Sequence, residues 1–127
     1  PGCLDVASFD ASETVPSKFD ARNFYEHNPQ VTLMRTTPEE CRELGERIAE
    51  KLNSSLAPVS FLIPRQAISV ISAPGQSFHD PEADQALFEA LRENLRDDIP
   101  VRELDCEIND PAFAKACVDE LLKNLGR

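Results

Sequence analysis

The chain is poor in basic residues for its size: 13 Lys and Arg stand against 23 Asp and Glu, a formal charge of -10. A surface of that sign repels the phosphate backbone of nucleic acids and anionic lipid headgroups, which argues against both as partners. Long apolar runs are missing too. None approaches the roughly 18 residues a membrane-spanning helix needs, and no basic-plus-apolar signal region opens the chain. The four cysteines form no CxxC step and have no histidine pair nearby, so zinc and dithiol redox motifs are lacking. Neither GxGxxG nor GxxxxGK[ST] occurs, and Gly75 alone makes no phosphate-binding loop.

What is present is ordinary for a folded domain. At 127 residues, with 41% apolar and 28% charged side chains, the composition is that of a globular protein and not of a disordered acidic tail. Residues 1–127 read as one α/β domain, and as a partial one. The chain starts at Pro1-Gly2 without an initiator methionine, in what reads as the exit of a strand. Cys41 and Cys117 fall in the apolar stripes of predicted helices, where a free thiol behaves as a small hydrophobe. This usage suits a reducing compartment, the cytoplasm.

Three helices announce themselves by a capping residue followed by proline. Thr37-Pro38-Glu39-Glu40 has the form of a capping box, and Cys41, Leu44, Ile48 and Leu52 continue it as an apolar stripe until Asn53-Ser54-Ser55. Asp80-Pro81 repeats the signal, with Leu87, Phe88, Leu91 and Leu95 predicting a second helix to about Arg96. Asp110-Pro111 starts a third, striped by Phe113, Cys117, Leu121 and Leu125 and ended by Gly126. Val59 to Ile63 reads as a strand covered on both faces, and Val101 to Cys106 as one nearer a sheet edge. Strands alternating with such helices imply a mostly parallel, three-layer, Rossmann-like sheet flanked by helices. Two stretches stand outside this order. Residues 5–30 are irregular, and Ile68 to Ile71 reads as a short extra strand before an Ala73-Pro74-Gly75-Gln76 turn.

Ligands of open parallel sheets gather beyond the carboxyl ends of the strands, which here are the loops Arg35 to Thr37, Gln76 to Asp80 and Glu107 to Asp110. The first loop suggests an anion held by a helix N-terminus. Glu39 and Glu40 oppose that reading by filling the first turn with negative charge. Asp80, Glu82 and Asp84 read as cap and dipole complement, so no metal site is assigned. His27 and His79 are the only histidines and the natural candidates for proton transfer. Cys3 with His27 is a looser nucleophile pair, because no sequence feature brings the two together.

The blocks Pro1-Gly2-Cys3-Leu4-Asp5, Phe24 to Pro29, Thr32 to Glu40, Ala73 to Gln76, Phe78 to Asp84 and Ile108 to Phe113 resemble, in order and spacing, one known family. It is the uncharacterised two-domain family that includes the tomato mosaic virus resistance protein and carries an ATP-binding label. The resemblance implies that this chain is the later part of the second domain of a longer cytoplasmic protein. It implies no settled enzymatic activity, ATP and Mg²⁺ only as a family attribute, and partners comprising the remainder of the same protein, further copies of it and a TIM-barrel protein. The chain departs from the family pattern at Ala67 (a glycine elsewhere), Ser72 (an acid) and Glu107 (often a histidine). The ligand-binding candidates are Cys3, Asp5, His27, Asn28, Arg35, Thr36, Gln76, His79 and Asn109. The rival expectations are a metabolic enzyme built on Asp5, His27, His79 or Asp80, and a module that only binds other proteins.

Overall fold

The computed structural model describes residues 1–127. Five strands form, β1 (Val6–Phe9), β2 (Phe24–Asn28), β3 (Val31–Arg35), β4 (Phe61–Pro64) and β5 (Val101–Leu104), with three helices, α1 (Pro38–Asn53), α2 (Pro81–Asn94) and α3 (Pro111–Asn124). The chain is a mixed α/β structure, and helix, strand, helix, strand, helix is the order from Pro38 onward.

Each helix begins where a side chain satisfies a free backbone donor. The Thr37 hydroxyl accepts from the Glu40 N–H at 3.2 Å while the Glu40 carboxylate accepts from the Thr37 N–H at 2.9 Å, the full capping box of α1. Asp80 accepts from the Ala83 N–H at 3.0 Å, and Asp110 from the Ala112 N–H at 2.7 Å. α2 stops at Asn94, short of the expected Arg96, because Asn53 at the end of α1 intervenes. Its amide donates to the Asn94 carbonyl at 2.7 Å and accepts from the Arg96 N–H at 2.8 Å, which ties the two helix ends together.

α1 and α2 pack face to face over β4. Cys41, Ile63, Ile68, Ala83, Leu87, Phe88 and Leu91 form the buried core, with Leu44, Ile48 and Phe61 against its edge. Burying side chains such as Leu87, Leu91 and Phe88 stabilises by about 1.5–3 kcal/mol each. The approach is close because position 45 is glycine: a Cβ there would stand 2.8 Å from Ala90 Cβ and 2.8 Å from the Leu87 carbonyl.

The single, mostly parallel sheet expected from the sequence does not form among these residues; there are two sheets. β4 and β5 pair in parallel, Phe61 opposite Val101 through Pro64 opposite Leu104. β1 and β2 flank β3 on either side, both antiparallel, in the order β1-β3-β2. Residues 5–30, read as irregular, thus hold two strands. Ile68 to Ile71 is not a strand, because side chains take the donors a ladder would use. The Ser72 hydroxyl accepts from the Ile68 and Ser69 N–H groups, and the Ser69 hydroxyl accepts from the Ser72 N–H. Only Ala67 keeps a parallel bridge, to Glu107.

Successive residues of β5 point to opposite faces, and their partners show what lies there. Arg102 pairs with Glu120 of α3 at 3.6 Å, and Glu103 with Arg92 of α2 at 2.6 Å, so the two helices flank opposite faces of the strand. α3 buries Phe113 and Ala116 but leaves Val118, Leu121, Leu122 and Leu125 exposed. No helix is long and apolar enough to cross a membrane.

Candidate functional site

Charged and polar groups accumulate where β3 hands over to α1 and where the chain turns into α2. The centre is Arg35, the last residue of β3, whose side chain is 4% exposed and whose guanidinium meets Asp84 of α2 at 2.6 Å. The same guanidinium donates to the Asp80 carbonyl and the Thr36 hydroxyl, each at 3.2 Å, while its Nε has no partner. Burial pushes the Asp84 carboxyl above the usual aspartate range. Arg35 pulls it back, and the negative charges of Asp5 and Asp80 push in the same direction as burial. The Thr36 hydroxyl donates to the Leu4 carbonyl at 2.9 Å and lies 3.2 Å from the Cys41 sulfur, whose thiol burial holds above its ordinary value.

Asp5 is fully buried beside this junction. One of its oxygens accepts from the Ser69 hydroxyl at 2.6 Å and the other has no partner. Ser69 and Ser72 lock the turn between them, and the Ser72 carbonyl lies 3.1 Å from Nδ1 of His79. A carbonyl can only accept, so in the neutral ring Nδ1 carries the proton and Nε2 the lone pair.

His79 opens onto a cleft of about 270 Å³ at the carboxyl end of β4. Arg65 and Gln66 supply one wall; Pro81, Asp84, Gln85, Phe88 and Arg92 of α2 supply the other. The Arg65 N–H donates to the Leu104 carbonyl and the Gln66 N–H to the Cys106 carbonyl, which fixes that wall to the chain leaving β5. Arg92 is paired with Glu103, and Gln85 donates to Glu89 at 2.8 Å. Arg65 has no carboxylate partner; its charge is felt at Glu103, whose carboxyl is held low chiefly by the hydrogen bond from Arg92 and additionally by Arg65. No group of three His, Cys, Asp or Glu side chains is arranged to hold a metal ion.

The candidates named from sequence separate into three groups. Asp5, Arg35 and Thr36 come together, but as an internally bonded junction, and His79 joins them through the Ser69–Ser72 turn. Cys3 and Asn109 lie near the same end: the Cys3 N–H donates to the Ile68 carbonyl and the Ile108 N–H to the Ala67 carbonyl. Both side chains are exposed, Cys3 at φ 55°, and Gln76 is exposed in its turn. His27 and Asn28 lie elsewhere. His27 is the unpaired residue of a bulge in β2, exposed, and Asn28 closes the hairpin by accepting from the Gln30 N–H at 2.9 Å. This leaves Cys3 and His27 without the contact a nucleophile pair needs. Of the cleft residues, Arg65, Gln66, Gln85 and Arg92 were missed in the sequence, and Asp84 was read there only as an acid complementing the helix dipole. Arg65 and Gln66 were findable as the residues after Pro64, which ends the apolar Val59 to Ile63 run, where strand-end ligand sites form.

These features define a mixed α/β segment whose polar side chains gather at the carboxyl end of a parallel strand pair. The chain belongs to the family described as Uncharacterised protein family (UPF0261) C-terminal domain, which matches residues 1–125. A UPF0261 protein of Rhizobium meliloti (strain 1021) is 50% identical over 119 residues, 92% of this chain and 30% of its own length. A UPF0261 protein of Mesorhizobium japonicum is 47% identical over 91% of this chain and 30% of its own. The ToMV resistance protein Tm-1(GCR237) of Solanum lycopersicum is 40% identical over 124 residues, 96% of this chain and 16% of its own. The chain thus spans about a third or less of the length of these relatives.

Proposed function

We infer that this chain supplies a binding site for a small anionic ligand, of the nucleotide or phosphorylated-acid class, within a larger cytoplasmic α/β protein. The observation that carries the reading is the cleft at the carboxyl end of β4, where Arg65 forms no close ion pair in a chain of net charge -10. Parallel α/β sheets bind ligands at this end of their strands, and a guanidinium with no carboxylate is suited to an oxyanion. The start of α1 does not fit a phosphate. Glu39 and Glu40 occupy its first turn and Arg35 is committed to Asp84, so no ATP or Mg²⁺ contact is assigned there.

The second contribution is to assembly. A two-stranded sheet is rarely stable by itself, and β4–β5 has further edges and an apolar α3 face to offer. The remainder of the same protein is the natural cover, completing a three-layer, mostly parallel, Rossmann-like domain; α2 and α3 on opposite faces of β5 support that layering. Homo-oligomer formation and a TIM-barrel partner belong to the same reading.

Calorimetric titration with nucleotides and phosphorylated acids tests the ligand site. Binding that disappears in Arg65→Gln is the expected result. Silence towards every ligand, or binding unchanged by Arg65→Gln, overturns it.

A further inference from the structure

We propose that Arg65 and His79 form the two ends of one subsite, specific for a small oxyanion that also bears a hydroxyl group. The inference rests on the cleft being a ligand site and adds which chemistry it selects. Around the cleft, most polar groups are already engaged. Arg92 is held by Glu103, Asp84 by Arg35, and the amide nitrogen of Gln85 by Glu89. The Gln66 amide nitrogen is turned to Asp105, 3.3 Å from its carbonyl and 3.4 Å from its carboxylate. Among the cleft side chains, that of Arg65 has no hydrogen bond or ion pair at all, and His79 has one ring nitrogen unengaged. Arg65 offers charged donors, and His79 offers an acceptor, because the Ser72 carbonyl takes the proton-bearing Nδ1 and leaves the Nε2 lone pair.

The ring does not owe this orientation to chance contact. Ser72 receives N–H groups from Ile68 and Ser69 on its hydroxyl, Ser69 bonds to the buried carboxylate of Asp5, and the whole turn is therefore rigid where its carbonyl meets the imidazole. An anion without a hydroxyl satisfies Arg65 alone. A hydroxylated one satisfies both ends, its O–H donating to Nε2 and its charged oxygens accepting from the guanidinium. The cleft, of about 270 Å³, lies at or below the small end of ligand-pocket sizes, which suits an acid of a few carbons.

Two matched pairs of probes separate the possibilities: lactate against propionate, and glycerol 3-phosphate against methyl phosphate, each titrated into the protein by calorimetry. The expected result is about fivefold tighter binding of the hydroxylated member of at least one pair, the worth of one hydrogen bond. That preference vanishes in His79→Phe, whereas Arg65→Gln weakens both members about tenfold, as loss of a charged donor does. Which pair binds tells carboxylate from phosphate. The ¹⁵N shifts of His79 give a readout independent of affinity: the Nδ1–H tautomer without ligand, and a shift at Nε2 on adding the hydroxylated probe only. Equal affinity within both pairs, or an Nε2–H tautomer, overturns the subsite while leaving the ligand cleft standing. No binding by any of the four probes, nor by nucleotides, overturns the cleft reading itself.

Discussion

Arg35 at the end of β3 and Asp84 in the first turn of α2 meet at 2.6 Å with their side chains 4% and 11% exposed, a link between the antiparallel sheet and the helical layer. Two buried charges are costly to desolvate, and their attraction offsets this only while both are present. The anion-binding role that a loop arginine suggests is therefore spent inside the protein.

Removing one partner of this pair is expected to be far worse than removing both. Asp84→Asn leaves Arg35 charged and sealed from water, at a cost of about 3–5 kcal/mol, whereas Arg35→Met with Asp84→Leu is expected to lose much less. Urea denaturation of the three proteins measures this. A double variant as unstable as the single one would show that the pair is not the source of the cost.

The close packing of α1 on α2 depends on Gly45. A methyl group added at this position would stand 2.8 Å from both Ala90 Cβ and the Leu87 carbonyl, and the second of these is backbone that cannot turn aside. Gly45→Ala is expected to destabilise by about 1–3 kcal/mol despite alanine's better helix propensity. A stabilised variant in thermal unfolding would mean that the helices have room to part.

Acid is expected to attack the capping box of α1. Glu40 accepts two bonds from Arg22, at 2.6 and 3.0 Å, which with the Thr37 N–H hold its carboxyl below the usual 4.5 although partial burial opposes them. A depressed folded value contributes stability that is fully present above pH 4.5 and lost as pH falls through the folded value. Glu40→Gln should therefore be less stable than the parent at neutral pH, and the gap should close on acidification. The group is partly exposed, so the effect is modest and reduced by salt. A gap that stays constant down to about pH 2, below any depressed carboxylate value, would refute the assignment.

The parts of the fold legible in the sequence were those specified by neighbours along the chain. Thr37 with Glu40, Asp80 with Ala83 and Asp110 with Ala112 lie three residues apart or fewer, and each marks a helix start. The strands between residues 5 and 35 were hidden for the opposite reason. β1 pairs with β3 across a separation of more than twenty residues, and the exposed Glu26, His27 and Asn28 give β2 no inward stripe. The site was partly readable by the same rule. That Arg35 and Thr36 sit at the head of a helix follows from local signals, but Asp84 as the partner of Arg35 is 49 positions away, and nothing in its own first turn distinguished it from a dipole-complementing acid. His79 was visible as a histidine in a strand-end loop; its fixed tautomer depends on Ser69 and Ser72 folding into a turn where a strand was expected.

α3 holds to the rest of the chain by a narrow footing: Phe113 and Ala116 beneath it, the Asn124 bonds to Ser60 and the Arg102 pair with Glu120. With so little buried, this helix is expected to open locally more readily than α1 and α2, which share one core. Its detachment would uncover one face of β5 without disturbing Asp84, His79 or Arg65. A partner that clamps α3 is therefore expected to order the chain's end with little direct effect on the Arg65–His79 cleft, whose side chains make no contact with this helix among the bonds and ion pairs described.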